Sequence, residues 1–323
     1  MLDTKVLISA PPHIQSELGT KSIMWMVAAA LTPAAVAGVL FFGWRALGII
    51  LISILAALLT EVICELMMRR PLTISDGSAF VTGLLLALVI PPTVPWWIPA
   101  LGSAFAIAVG KQVFGGLGHN LFNPALIGRA FLLASWPLLM TTWQWPVSAL
   151  SWAGAQMDAV SDATALGLLR SGFFGSNSLS LPYLQMFYGN ISGSLGETSA
   201  LALLLGAAFL LVYKIIDWRI PAGYLGTVLA LTTLLGQDPI FHLLAGGLIL
   251  GAFFMATDYV TTPVTPTGRI IFGVGCGILT VLIRRFGGYP EGVCYSILIM
   301  NATTPLLDRF TVPKRFGEVK KNG

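Results

Sequence analysis

About ten apolar runs divide this chain, and their length and spacing constrain the fold more than any other feature of the sequence. A bilayer core demands roughly 20 apolar residues from a spanning helix. Runs near that requirement fall at 23–42, 46–68, 78–91, 96–114, 124–140, 197–214, 221–236, 239–256, 270–284 and 291–307. The third and ninth are short for a full crossing, which fits half-helices or runs supported by their neighbours. Hydrophobic residues make up 56% of the 323 and charged residues 10%, too little polar material to cover a soluble globule of this size. The expected fold class is therefore all-α, a polytopic membrane protein of about ten transmembrane helices. The leading MLDTKVLISAPPHIQSELGTK is polar, and no small-residue cleavage site follows the first run, so the first helix is expected to be retained.

The expected division is a cytoplasmic segment at 1–22, a first membrane half at 23–140, a loop at 141–196, a second half at 197–309 and a tail at 310–323. Basic residues accumulate in cytoplasmic loops. With the amino terminus inside, fourteen of the 18 Lys and Arg fall on the inner side, among them Lys111, Arg129 and Arg269. Arg45, Arg170, Arg284 and Arg285 fall outside, and the last two dissent from the rule. Both termini are then cytoplasmic and the 141–196 loop extracytoplasmic, with Trp143, Trp145 and Trp152 expected as interfacial anchors. A formal charge of +4 is explained by a basic inner rim facing anionic lipid and requires no nucleic acid. NPALIGRAF at 123–131 and TPTGRIIF at 265–272 share a short core, but they begin non-equivalent helices and read as a chance likeness. Cys64, Cys276 and Cys294 fall in predicted spans without metal-ligand spacing, so no metal site is expected and the thiols read as packing.

Three features carry chemistry. In SDATALGLLRSG, Ser161 or Asp162 is expected to cap a short helix, with Thr164 in its first turn and Ala163 keeping the hydroxyl accessible. A helix amino terminus would stabilise a phosphoryl group esterified there; the alternative is an ordinary capped surface helix. In GGLGHNLFNP, Gly115, Gly116 and Gly118 let backbone approach a flat ligand, and Asn120 and Asn123 offer amides to a heterocycle edge. Asn123 and Pro124 also form a helix start, so a plain capped loop is the alternative. His119 reads as a polar loop residue and His242 as a hydrogen-bonded packing residue. Finally, charges inside a membrane are costly and mark pathways. Glu61 and Glu65 lie one turn apart, and Asp76, Asp238 and Asp258 sit at span ends. Either such acids mark an ion pathway, or the glutamates pair with Arg69 and Arg70 while Asp238 and Asp258 cap helices.

The pattern Asp158-x-x-Ser161-x-Ala163-Thr164 resembles the D-x-x-[ST]-x-A-T signature at which a flavin transferase attaches FMN. That signature belongs to the D subunit of Rnf-type ferredoxin:NAD oxidoreductases and the homologous B subunit of the sodium-translocating NADH:quinone oxidoreductase. DGSAFVTGLLLALVIPPTVPWW, GKQVFGGLGHNLFNPALIGRAFLLASWP and ATDYVTTPVTPTGR resemble the same family, so the likeness covers essentially the whole chain. SAPPHI close before the first span favours the Rnf type. Asp162 stands where the family commonly has Gly, and Tyr259 replaces a common Pro. The resemblance implies two inverted five-helix halves, FMN bound covalently to Thr164, and riboflavin held without a covalent bond near Asn120 and Asn123. It further implies a membrane electron carrier that moves Na⁺ or H⁺, with Asp76, Asp238 and Asp258 in contact with the coupling ion, and that works only with an FMN-bearing subunit, iron–sulfur subunits, an NAD-binding subunit and a flavin transferase for maturation. A quinone-reducing relative, a solute channel or transporter without redox groups, and an assembly scaffold are the alternatives.

Overall fold

The computed structural model describes residues 19–146, 164, 166–167, 183–189, 191–288 and 292–313. All regular structure among them is helical. The first half contains α1 (Thr20–Phe42), α2 (Trp44–Met67), α3 (Ser78–Leu88), α4 (Trp97–Ile107), α5 (Pro124–Ser135) and the single turn α6 (Pro137–Met140). Beyond α7 (Tyr183–Tyr188) come α8 (Ala200–Val212), α9 (Arg219–Leu234), α10 (Pro239–Leu244), α11 (Leu248–Leu250), α12 (Pro266–Phe286) and α13 (Val293–Thr311). Two segments relax into π-helical turns, Ala108–Gln112 after α4 and Gly251–Met255 after α11, a wide-turn geometry that occurs mostly at functional positions.

The helices α1, α2 and α12 are long and apolar enough to cross a bilayer, and α3, α5 and α8 are shorter apolar helices. The third run is indeed short. The ninth is not: Thr265 accepts the Gly268 N–H at 3.1 Å and Pro266 occupies the first helical position, so α12 begins four residues before its apolar stretch. The eighth run, expected whole, is broken between α10 and α11. Gly246 and Gly247 there have φ of +68° and +65°, a left-handed turn that glycine adopts without strain.

Packing in the first half joins α2 to α3 and α4, and α4 to α5; in the second, α9 packs on α10 and α12, and α12 on α13. The two sets meet where α1 lies on α8 and α5 on α13. Close backbone approach through small residues is how helices associate when apolar burial gives no advantage over lipid. Gly206 is the tightest instance: a Cβ there would come within 2.0 Å of the Ala30 carbonyl oxygen on α1.

Several charges counted from sequence toward one side of the membrane are internal. Lys111, Arg129 and Arg284 are all buried, so Arg284 is no exception to the charge rule for loops. Trp143 is buried as well, whereas Trp145 is 42% exposed; only the latter has the surface an interfacial anchor needs. Trp152 lies outside the described residues.

Gly206→Ala is expected to cost roughly 1–3 kcal/mol by forcing α1 from α8. Gly226→Ala, whose Cβ meets nothing within 4 Å, should leave the unfolding midpoint in detergent essentially unchanged.

Candidate functional site

A crevice of about 740 Å³, counted out to its mouth, opens between the two halves. Its polar lining includes Ser78, Lys111, Asn120, Asn123 and Asp258, set among apolar side chains such as Phe253 and Phe254. The loop leading into it carries Gly115, Gly116 and Gly118 at φ of +124°, +97° and +94°. Positive φ therefore accounts for these glycines, and no ligand contact is needed to explain them.

Asn123 is committed to the fold. Its Oδ1 accepts the Leu126 N–H at 3.3 Å, capping α5, and its Nδ2 donates to the Met255 carbonyl at 3.3 Å. With the Asn301 amide turned so that its oxygen faces inward, it accepts the Asn123 N–H at 3.1 Å while its nitrogen donates to the Ile297 carbonyl. Asn123 thus ties the first half to the second-half π-turn and to α13. Asn120 donates to the Phe122 carbonyl at 3.2 Å. Asp258, which lines the crevice with it, accepts from the Thr261 hydroxyl at 3.3 Å.

The wall beside them is a buried ionic chain. Lys111, placed by the first π-turn, donates to Glu61 Oε1 on α2 and to the Ser78 hydroxyl. Gln112 donates to the same Glu61 oxygen at 3.3 Å. Asp76 accepts from the Ser78 N–H at 2.8 Å and from its hydroxyl at 2.6 Å, so it holds the first residue of α3 and joins the chain through Ser78. Glu65 accepts from the Thr73 N–H and hydroxyl. Neither glutamate pairs with Arg69 or Arg70, the alternative open from sequence; the partner of Glu61 is Lys111, 50 residues distant. A loop-like Gly-Lys-Gln carries no signal of that pairing.

Asp238 lies elsewhere. It caps α10 by accepting the Phe241 N–H at 2.9 Å and receives the Tyr183 hydroxyl. Burial alone would raise its carboxyl, but the Phe241 N–H, the Tyr183 hydroxyl and the Ile240 N–H together hold it below the usual range. The same bond pushes the Tyr183 phenol up.

Thr164 is buried, and its Oγ1 accepts the Gly167 N–H at 3.2 Å. The bond is a local one of the capping kind, and the burial departs from the accessible hydroxyl expected from sequence; the cap expected of Ser161 or Asp162 lies outside the described residues. Asp158, Ser161 and Ala163 lie outside the described residues. Leu166 packs with Met186, Ile191, Phe241 and Ala245 and fills the space over Gly246, whose Cβ would fall 2.4 Å from it. Arg284 closes the same break by donating to the carbonyls of His242 at 2.7 Å and Ala245 at 2.8 Å. His242 is not hydrogen-bonded as expected, since both its ring nitrogens are buried without a partner. His119 is an exposed loop residue. Thr164 and the crevice are connected through packed core: Leu166 to Gly246, Gly246 to a small cavity shared with Met255 and Leu126, and Met255 to Asn123.

Among the described residues no group of three or more His, Cys, Asp or Glu could hold a metal ion. What the fold and site define is a helical membrane protein with a charged crevice inside its apolar body. The profile of the NQR2, RnfD, RnfE family matches residues 7–317, and the chain belongs to that family. It is 51% identical, over 96% of both chains, to the D subunit of the proton-translocating ferredoxin:NAD(+) oxidoreductase complex of Clostridium ljungdahlii. It is 48% identical to the D subunit of the Na(+)-translocating ferredoxin:NAD(+) oxidoreductase complex of Acetobacterium woodii, over 99% of this chain and 98% of that one. A third relative, the D subunit of the ion-translocating oxidoreductase complex of Stutzerimonas stutzeri, is 44% identical over 91% of each.

Asn123→Ser keeps a capping oxygen but cannot reach Met255, and Asn123→Ala loses both bonds. The serine variant is expected to lose about 1 kcal/mol of stability and the alanine variant about 1 kcal/mol more, as read from unfolding in detergent.

Proposed function

We propose that this chain is the D-type membrane subunit of an ion-translocating ferredoxin:NAD oxidoreductase complex, inactive alone. It carries FMN as a phosphoester on Thr164 and a non-covalent riboflavin in the crevice beside Asn120 and Asn123. The observation that carries this reading is the crevice itself, a polar-lined slot in an apolar body, joined through Met255 and Gly246 to the segment bearing Thr164. Flavins supply one-electron relay chemistry when bound. The residues present suit such a group: Asn120 and Lys111 offer polar hydrogens at the wall, and Phe253, Phe254 and Leu85 offer apolar faces. At the other site the Thr164 oxygen accepts the Gly167 backbone N–H, a donor of the kind that holds phosphate.

In this reading about ten crossings form two inverted five-helix halves, consistent with the repeated packing of α2 on α3 and α4 and of α9 on α10 and α12. Both termini are cytoplasmic, and the 141–196 loop, with Asp158, Ser161 and Ala163 forming the recognition pattern for the flavin transferase, is extracytoplasmic. Electrons arrive from an FMN-bearing subunit with iron–sulfur partners and leave toward an NAD-binding subunit. Asp258, which lines the crevice, and Asp76, which is bonded to its lining residue Ser78, belong to the path of Na⁺ or H⁺. Asp238, spent on a cap and on Tyr183, serves that path by fixing the start of α10. The identities with D subunits of ferredoxin:NAD complexes support this over the quinone-reducing relative.

Co-expressed with a flavin transferase and denatured, the polypeptide should keep a fluorescent label with the mass of FMN, and Thr164→Ala should lose it completely. An unlabelled wild-type chain would overturn the redox reading in favour of a permeation protein. Turnover of the purified complex with reduced ferredoxin and NAD, and not with NADH and quinone, separates the two kinds of pump.

A further inference from the structure

A second pocket, about 1220 Å³ counted out to its mouth, opens at the turn between α8 and α9 beside the start of α12. Lys214, Arg219 and Arg269 line it together with Asp217. Asp217 Oδ2 accepts from Arg219 Nη1 at 2.9 Å and from Arg269 Nη1 at 2.6 Å, while Oδ1 accepts the Arg219 N–H at 3.0 Å. One carboxylate thus holds two guanidiniums in place and cancels only one of their charges. Lys214 forms no ion pair among the described residues, so the pocket keeps an excess of positive charge. Fixed guanidiniums beside a free ammonium suit the oxygens of a phosphate.

Lys214 is also held at a backbone cost. Its φ is +54°, in the left-handed turn that closes α8 through the Ile215 N–H on the Leu210 carbonyl at 2.9 Å, a position that glycine fills without strain. A lysine kept there points to a use for its side chain. The surroundings of the turn point to lipid. Val212, Tyr213 and Trp218 are 75%, 58% and 62% exposed, so apolar and interfacial side chains continue outward from the basic pocket. The charge rule puts this turn on the cytoplasmic side, where anionic headgroups are concentrated.

We propose that this pocket binds the phosphodiester headgroup of an anionic phospholipid of the cytoplasmic leaflet. Lys214 Nζ and the Nη2 groups of Arg219 and Arg269 take the phosphate oxygens, and Trp218 with the last turn of α8 takes the first acyl carbons. The site needs neither Thr164 nor the crevice to be occupied.

The test uses the full chain, delipidated in a nonionic detergent and titrated with phosphatidylglycerol, phosphatidylcholine or glycerol phosphate. Native mass spectrometry counts the bound molecules, and thermal unfolding gives the midpoint. The wild type should retain phosphatidylglycerol in preference to phosphatidylcholine and rise in midpoint with the former alone. Without lipid, Lys214→Gly should unfold at a higher temperature than the wild type, because the strain is gone. It should nevertheless bind phosphatidylglycerol roughly fivefold more weakly, the share of one basic residue near a headgroup. Lys214→Arg should keep the lipid. Arg69→Gly relieves a similar turn, φ +55°, beyond α2 and outside this pocket, and should raise the midpoint with lipid binding unchanged. Unchanged phosphatidylglycerol affinity in Lys214→Gly combined with Arg219→Gln overturns the proposal, as does equal binding of phosphatidylcholine by the wild type. Should the double variant not fold, unchanged affinity in Lys214→Gly alone is decisive against it. Equal protection by glycerol phosphate overturns it in favour of a soluble phosphate. In the assembled complex, loss of a soluble subunit from Lys214→Gly with the lipid count unaltered overturns it in favour of a protein contact.

Discussion

A helix that stops inside an apolar layer leaves carbonyl groups that lipid cannot satisfy, and the structure depends on how those groups are met. Side chains from distant parts of the sequence meet them. Arg284 reaches the His242 and Ala245 carbonyls where α10 ends, Arg129 reaches the Val89 carbonyl past α3, and Asn123 reaches the Met255 carbonyl at the second π-turn. Each of these bonds accompanies a backbone interruption, and the interruptions border the crevice, the Thr164 segment or the small cavity between them. The polar interior of this protein is thus the condition for having broken helices at all.

The buried Lys111–Glu61 pair sits on the same foundation. Desolvating two ions costs several kcal/mol each, and a well-packed apolar pair would stabilise the fold as well or better. Removing one partner alone costs roughly 3–5 kcal/mol, since a lone buried charge remains. A chain that keeps such a pair against a crevice wall holds an arrangement that is sensitive to any new charge nearby. The π-turn at Ala108–Gln112 places Lys111 and the adjacent Gln112 on the same carboxylate.

Much of this is legible in the residues. Length and apolarity locate the runs, and Asn123-Pro124 announces the start of α5 through its capping chemistry. Thr265-Pro266 carries the same signal, but it precedes the apolar stretch, so reading hydropathy alone shortens α12. The break in the eighth run is written as Gly246-Gly247 within an apolar sequence, where two small residues are equally compatible with tight packing; their positive φ becomes visible only in three dimensions. Lys111 counts from sequence only as an inner-side charge at the end of the fourth run, because nothing local indicates a carboxylate 50 residues away. Thr164 stands out through its surrounding pattern, whereas its bond to Gly167 depends on backbone geometry that the pattern does not specify.

The bare α-carbons of Gly246 and Gly247 also act as sockets. Leu166 seats over the first and Glu197 over the second, so the segment that carries Thr164 and the start of the second half are both bolted to one broken helix. Anything esterified to that threonine is held at a spacing from the crevice set by protein contacts and not by the thickness or tension of the surrounding lipid. The gap between the two places is therefore a built dimension of the chain, as the separation of plates is in a capacitor.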